Sequence, residues 1–150
     1  MDTGGTAMDI VHLLRETTTE LALTHGEFAR ANGLHTTDVR ALVCLLDGER
    51  TGTPLTPGEL GTRLGLNSAG TTAVIDRLER AGYVGRLRDA RDRRRVRLQV
   101  SEQAVALGRR HFGPLIARAL DLLEGFEESE VLAVRRFLCG MRDAARSSRS

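Results

Sequence analysis

The chain has 150 residues, 41% of them hydrophobic and 28% charged, which is typical of one soluble globular domain or of one domain with a dimerisation extension. The sequence lacks an apolar run of about 18 residues and a basic, apolar leader, so we expect a cytoplasmic protein with no membrane contact. The net charge is only +2, so the distribution of charge along the chain is more informative than its total.

Positive charge is concentrated in one short segment. All 22 basic residues are Arg, and seven of them fall within residues 86–97, beside two Asp. This segment therefore carries +5, which leaves −3 for the remainder of the chain. Such a concentration in a nearly neutral protein indicates contact with a polyanion.

Apolar periodicity and turn residues divide the chain into elements. The first predicted elements are a frayed tail over 1–6, a helix over about 7–31, a helix from Thr36 or Thr37 to Gly48, and a polar loop over 48–55. The middle of the chain is predicted to form a short helix from Thr56 to near Gly65, a helix over Ser68–Ala81, and strands over Tyr83–Arg88 and Arg95–Val100 around a hairpin tip at 89–94. The last predicted elements are a helix from Ser101 to about Leu123, a helix from about Glu127 to Ala145, and a frayed tail from Arg146.

Start and stop signals are strongest in the middle of the chain. Thr56, Pro57 and Glu59 predict a capping box with proline at the first helical position. Asn67 is predicted to cap the next helix, and Gly82 to end it. These signals predict two helices joined by a tight turn.

The apolar period then changes from 3.6 residues to two. Val96, Leu98 and Val100 alternate so that they share one face of a strand, whereas Val84 is interpreted as no more than a flank of the preceding strand. Helix, turn, helix and hairpin in this order predict a winged helix-turn-helix. The fold class is mainly α with a small β-hairpin wing, divided into an N-terminal dimerisation helix (1–35), a DNA-binding domain (36–100) and C-terminal dimerisation helices (101–150).

The helix from Ser68 has the composition of a DNA-recognition helix. Its first two turns are small residues that allow a close approach of the backbone to DNA. Ser68, Thr71 and Thr72 can donate hydrogen bonds to bases or phosphates, and the helix N-terminus favours a phosphate. Taken alone, these residues are better explained by capping and solubility than by DNA contact.

The arginine-rich hairpin tip is the second candidate contact. Arg91, Arg93, Arg94 and Arg95 can follow a DNA backbone and insert a guanidinium into a narrow minor groove. Two aspartates, Asp89 and Asp92, are interpreted as partners that orient particular arginines. The alternative is a solvated charged hairpin, which is less consistent with seven arginines directly after a helix-turn-helix pattern.

Two further arginines lie on the central helices. Arg63 and Arg77 are predicted to clamp phosphates or to form surface salt bridges, for Arg77 with Asp76 or Glu79.

Three segments together resemble the MarR family of bacterial transcriptional regulators. They are LTPGEL from Leu55, IDRLERAGYV from Ile75, and DARDRRRVRLQVSEQA from Asp89. The resemblance covers nearly the whole chain and implies a homodimer formed by the terminal helices, which binds a pseudo-palindromic operator. It also implies recognition helices in successive major grooves and wings in the flanking minor grooves. The contacts carried over are Asn67, Ser68, Thr71, Thr72, Arg77, Arg93 and Arg94, with Asp92 holding Arg94 in place.

The resemblance further implies a repressor that a small molecule or cysteine oxidation releases from DNA. Cys44 and Cys139 lie in apolar runs and are interpreted as buried, inert thiols. His35 and Asp38 lie near the junction of the first two helices, where capping and surface exposure are favoured over an effector pocket. A pocket lined by Leu, Val and Phe would favour a hydrophobic or aromatic effector.

Two other classes of function are weighed against a DNA-binding repressor. A winged-helix protein–protein interaction module has no need of an arginine-rich wing. An enzyme is not predicted, because the sequence shows no catalytic triad, phosphate loop or acidic dyad at meaningful spacing. No cofactor and no metal site are predicted.

Overall fold

A computed structural model describes residues 3–149 of the chain. These residues form six helices and one two-stranded antiparallel sheet, which confirms the predicted fold class. The elements are α1 (Thr3–Ala31), α2 (Thr36–Arg50), α3 (Pro57–Leu64), α4 (Ser68–Arg80), β1 (Val84–Arg88), β2 (Val96–Val100), α5 (Glu102–Glu124) and α6 (Glu128–Ser147).

The chain divides into two compact units. The first extends to residue 107 and contains α1 to α4, the wing and the start of α5, and the second extends from residue 108 through the rest of α5 and α6. The core of the first unit lies where α2, α3, α4 and the wing meet. Its most deeply buried large apolar side chains are Leu45, Leu60, Ile75, Leu78 and Leu98.

The wing is a short hairpin whose inner face joins this core. Val84 pairs with Val100 and Arg88 with Val96. Leu98 and Val100 are buried, as their alternation predicts. The prediction for Val84 is wrong, because this residue begins β1 and is buried at 6% exposure. The Tyr83 side chain, one position earlier, only packs at the edge of the core.

The outer edge of β2 is closed by two groups from other elements. The Leu98 N–H donates to the carbonyl of Leu55 at 2.9 Å. The Val100 N–H donates to the Glu49 carboxylate at 2.8 Å. These two hydrogen bonds pair backbone N–H groups on the edge of β2 that faces away from β1. They also connect the wing to α2 and to the loop before α3.

Gly48 does not end α2, contrary to the sequence prediction. The helix continues to Arg50, and a Cβ at Gly48 would lie 2.8 Å from the Thr53 carbonyl oxygen. The returning loop therefore packs directly on the helix backbone. Glycine is needed here for close approach and not for a stop.

Helix starts follow the predicted capping pattern where the chain has one. Thr56 and Glu59 form the reciprocal capping box of α3, and Ser101 accepts the Ala104 N–H at 3.2 Å. The N-cap position of α6 holds neither Ser nor Thr but Glu127, whose backbone N–H donates to the Glu130 carboxylate at 2.8 Å.

Most described residues of the predicted frayed ends are helical, and residues 148–149 lie in a turn after α6. Helix α1 begins at Thr3 instead of about residue 7, and α6 continues to Ser147. Extending an existing helix by a turn costs little, even through glycine, because nucleation has already occurred. The remaining tail positions 1, 2 and 150 lie outside the described residues.

The contact between α3 and α4 predicts a position-specific glycine effect. A Cβ at Gly61 would lie 2.5 Å from the Thr71 hydroxyl oxygen, whereas one at Gly58 would have no neighbour within 4 Å. We expect Gly61→Ala to lower the free energy of unfolding by about 1–3 kcal/mol. Gly58→Ala, in the same helix, should be neutral or stabilising by up to ~1 kcal/mol. Urea denaturation of both full-length variants at equal protein concentration measures this, and equal effects would contradict the packing.

The long helices carry many exposed apolar side chains. On or next to these helices, the large apolar residues that are at least 38% exposed are Met8, Ile10, Val11, Leu13, Leu21 and Leu23 on α1, Leu115, Ile116, Leu120 and Leu122 on α5, Phe126 before α6, and Leu132, Phe137, Leu138 and Met141 on α6. Within residues 3–149, no helix is long and apolar enough to cross a membrane. Apolar surface on this scale is typical of an interface with another protein chain.

Candidate nucleic-acid interface

The first part of the candidate interface is the N-terminal end of α4. Asn67 caps the helix, as predicted, by accepting the Gly70 N–H on its Oδ1 at 2.8 Å. Ser68 and Thr72 are exposed in the first two turns. Small exposed residues let a DNA backbone approach closely, and the N–H groups of the helix end attract a phosphate.

Ser68 and Thr72 line a groove between the starts of α3 and α4. Pro57, Gly58 and Thr62 contribute the α3 side of this groove. The side chains are small, and they mix hydroxyl groups with apolar surface. Such a surface suits contact with sugar, phosphate and thymine methyl groups.

Thr71 occupies a different place from the other two hydroxyl residues of α4. It is only 5% exposed, and its hydroxyl donates to the Asn67 carbonyl at 2.9 Å. Its side chain also faces Gly61, where the two helices approach closely. This placement fits a role in packing α4 against α3 more closely than a contact to a base.

The second part of the interface is the wing tip, where two aspartates organise the backbone. Asp89 accepts the Arg91 N–H at 3.0 Å, and Asp92 accepts the Arg94 N–H at 3.0 Å. Asp92 therefore holds the backbone of Arg94, not its guanidinium. Asp89 also forms an ion pair with Arg97 at 2.9 Å, which joins the hairpin tip to the start of β2.

The seven wing arginines fall into two groups. Four are engaged within the protein: Arg86 with Glu79 and Asp76, Arg88 with the Arg93 carbonyl, Arg95 with Glu59, and Arg97 with Asp89. The other three are exposed at the tip, and among the described residues their guanidinium groups have no partner: Arg91, Arg93 and Arg94. The unpaired positive charge is therefore concentrated at the end of the hairpin.

The Asp89 contacts predict a pH-dependent stabilisation of the wing. The Arg91 N–H and then the Arg97 guanidinium lower the pKa of Asp89 below its ordinary value of 3.8. A lowered folded-state pKa means that the ionised carboxylate stabilises the fold above about pH 4, and that this contribution is lost as pH falls through the lower folded value. We expect Asp89→Asn to lower the unfolding temperature at neutral pH, by an amount that shrinks below about pH 4.

Thermal unfolding of Asp89→Asn over a pH series measures this dependence. Asp121→Asn, at an exposed position of α5, serves as the control and should differ little from the parent chain. A difference between Asp89→Asn and the parent chain that stays constant from pH 7 to ~3 would contradict the assignment.

Arg77 lies on α4, but its partner is neither Asp76 nor Glu79. Its guanidinium contacts the carboxylate of Asp38 through Nε at 3.2 Å and Nη2 at 2.8 Å. Asp38 is fully buried at the start of α2, so the prediction that it is surface-exposed is wrong. Hydrogen bonding to Asp38 raises the pKa of Arg77. The Asp38 carboxylate also accepts a hydrogen bond from the backbone N–H of His35.

The candidate sensor residues form no recognisable centre. Cys44 and Cys139 are free and only half-buried, so the prediction of buried thiols is too strong. His35 is exposed, as predicted, and it is the N-cap residue of α2, but its side chain makes no cap hydrogen bond, and the Asp38 carboxylate accepts the His35 N–H instead. Within the described part of the chain, no group of three or more His, Cys, Asp or Glu is arranged to hold a metal ion.

The distant arginine partners of two carboxylates, Glu59 and Asp38, were not predicted from the sequence. Glu59 was predicted only as a cap, yet it also forms an ion pair with Arg95 at 3.2 Å. Asp38 pairs with a residue 39 positions away. The cap motif TTD of α2 signals a carboxylate at the third helical position, but no local pattern identifies its distant arginine.

Known proteins with similar sequences decide the family. The sequence pattern of the MarR family matches residues 34–96. The HTH-type transcriptional regulator YcgE of Bacillus subtilis is 36% identical to this chain over 128 residues, which are 85% of this chain and 80% of YcgE. The chain belongs to the MarR family. As a MarR family member it is a DNA-binding, HTH-type transcriptional regulator and not an enzyme.

Solved structures of MarR family proteins share the fold. A member from Bacillus stearothermophilus aligns at a TM-score of 0.65 and 25% identity, covering 97% of this chain and 99% of that one. A variant of S. aureus MepR aligns at a TM-score of 0.74 and 17% identity, covering 91% and 96%. MepR has also been solved in complex with DNA (TM-score 0.57) and bound to ethidium bromide (TM-score 0.59), each at 17% identity and covering 90% of this chain and at least 95% of MepR.

Proposed function

We propose that this MarR family regulator is a homodimeric repressor of a pseudo-palindromic operator. In each subunit α4 enters a major groove and the wing tip follows the adjacent minor groove. The observation that carries the proposal is the pairing pattern of the wing, in which four arginines hold the hairpin in place and Arg91, Arg93 and Arg94 remain free for DNA. Acting on chromosomal DNA would place the protein in the cytoplasm.

The proposed contacts divide by chemistry. Ser68 and Thr72, with the Asn67 cap, contact bases and phosphates through the N-terminal end of α4. Arg94 enters the minor groove, with Arg91 and Arg93 on the flanking phosphates.

The remaining predicted contacts have partners within the protein. Thr71, Arg77 and Arg95 are engaged with Asn67, Asp38 and Glu59 respectively. We assign these three residues to holding α4 and the wing in place.

The proposed dimer uses the terminal helices, segments 1–35 and 101–150. The exposed leucines of α5 and α6, among them Leu120 and Leu138 at 59% and 51% exposure, have no core to enter within their own unit. Burial of such side chains against a second copy contributes about 1.5–3 kcal/mol each. A two-fold dimer would present two α4 helices to half-sites one DNA turn apart, roughly 34 Å.

A small hydrophobic or aromatic molecule is the proposed effector. MepR, a protein of the same fold, has been solved bound to ethidium bromide. A ligand that favours another spacing of the two recognition helices would weaken operator binding by population shift. Titration of planar aromatic compounds into the protein–operator complex tests this step, and titrations that never change operator affinity would count against it.

The direct test of the proposed function is DNA binding by the full-length protein. The probe is a fluorescent duplex from the intergenic DNA upstream of its own coding sequence, compared with a shuffled duplex of equal length. We expect tighter binding to the upstream duplex by about 10³-fold or more, with a steep loss of affinity between ~50 and ~200 mM salt. Equal affinity for both duplexes would contradict an operator there, and absence of DNA binding would favour an interaction module.

A further inference from the structure

The position of α4 is fixed by contacts of different kinds. Near its start, Thr71 packs against Gly61. Along its middle, Val74, Ile75 and Leu78 enter the core. These contacts hold the helix against the core, and the apolar ones among them are non-directional.

The contact between Arg77 and Asp38 is directional. Nε of Arg77 lies 3.2 Å from both carboxylate oxygens of Asp38, and Nη2 lies 2.8 Å from Oδ1. A planar guanidinium in contact with both carboxylate oxygens fixes orientation as well as distance. The Asp38 carboxylate is itself held, because it is fully buried and accepts the His35 N–H at 2.9 Å.

This pair lies at the end of α4 away from the proposed DNA contacts. Arg77 follows Ser68 by nine positions, roughly 13 Å along a helix. The Arg77 side chain is 30% exposed, whereas Asp38 is completely enclosed. An anchor at the far end of a short helix controls where its other end points.

We propose that Asp38 and Arg77 are positioning residues for operator recognition, which orient the N-terminal end of α4, and that Arg77 does not contact phosphate. This inference rests on the proposed role of α4 in DNA binding. Buried ion pairs add little net stability compared with apolar replacements. Their value lies in the single geometry that they impose.

The test compares three full-length variants. Arg77→Met removes the pair and keeps an apolar stem of similar length, and Asp38→Asn keeps an acceptor for the His35 N–H. Arg80→Met, one turn from Arg77 and exposed, is the matched control. Affinities for the upstream and shuffled duplexes are measured across a salt series, at a temperature where every variant is folded.

We expect Arg77→Met and Asp38→Asn to bind the upstream duplex at least about tenfold more weakly, with unchanged affinity for the shuffled duplex. The salt slope should stay that of the parent chain, because no phosphate contact is lost. The double variant should be no weaker than the weaker single variant, since both changes remove one interaction. Arg80→Met should keep the affinity ratio of the parent chain.

Two results would overturn the inference. A salt slope reduced by about 1 or more in Arg77→Met, with weaker binding of both duplexes, would make Arg77 a phosphate contact. Unchanged affinities together with a lowered unfolding temperature would make the pair purely structural. Failure of the parent chain to distinguish the two duplexes would instead contradict the proposed function.

Amide hydrogen exchange without DNA tests the inference independently of operator binding. In Arg77→Met, exchange over residues 68–73 should be faster than in the parent chain, while exchange of the β2 amides stays unchanged. Unchanged exchange over residues 68–73 would contradict the positioning role whatever the DNA result.

Discussion

If the proposed dimer is correct, replacing Leu120 and Leu138 together by glutamate is expected to convert it into monomers and to remove measurable operator binding. Both leucines are more than half exposed within a single chain. Carboxylates buried at an apolar interface without partners cost several kcal/mol. A monomer can occupy only one half-site, and loss of the second one reduces affinity by about 10²–10⁴-fold.

Light scattering measures the oligomeric state, and fluorescence anisotropy measures operator binding, on the same samples. Leu87→Glu is the matched control, because Leu87 is 51% exposed but lies on the wing. This control should remain dimeric. A Leu120→Glu/Leu138→Glu protein that is helical by circular dichroism and still dimeric would move the interface away from α5 and α6.

Arg94→Ala is expected to weaken operator binding by about 1–3 kcal/mol. Its guanidinium is exposed and unpaired within the described residues, while the Asp92 carboxylate holds its backbone N–H at 3.0 Å. The Arg94 guanidinium can therefore enter a minor groove without breaking a hydrogen bond or an ion pair to the described residues, while the backbone of Arg94 stays fixed. The salt slope should also fall, because the contact releases counterions.

The neighbouring residue provides the comparison for this prediction. Arg95 forms an ion pair with Glu59 at 3.2 Å, so Arg95→Ala should lose less operator affinity than Arg94→Ala. Anisotropy titrations of both variants against the upstream duplex decide between them. Unchanged affinity in Arg94→Ala would assign the wing tip to solvent, and a larger loss in Arg95→Ala would reverse the proposed order of contacts.

Local sequence patterns predicted much of the fold because local interactions decide those features. The Thr56–Glu59 capping box, the Asn67 cap and the alternation of Leu98 and Val100 are each confirmed. The two caps have their deciding partner within about four residues, and the alternation follows from the two-residue period of a strand. The family resemblance added the expected dimer, the expected operator and the expected DNA contacts, which stay predictions.

Features that depend on distant contacts could not be predicted in the same way. Gly48 resembles a helix stop, yet the backbone of a loop five residues later requires it inside α2. The sequence around Val84 predicts only a flanking residue, whereas in the structure Val84 pairs with Val100 and lies in the core. The sequence locates the arginine-rich wing and the resemblance selects Arg93 and Arg94, but only the structure shows that Arg95 is paired with Glu59.

A hydroxyl-radical footprint of the full-length protein on the upstream duplex tests the proposed mode of DNA binding most directly. The proposed arrangement predicts two symmetry-related protected regions about one helical turn apart, flanked by minor-groove protection that disappears in Arg94→Ala. A single protected patch, or flanking protection that persists without the Arg94 guanidinium, would contradict two α4 helices in successive major grooves with the wings in the minor grooves beside them.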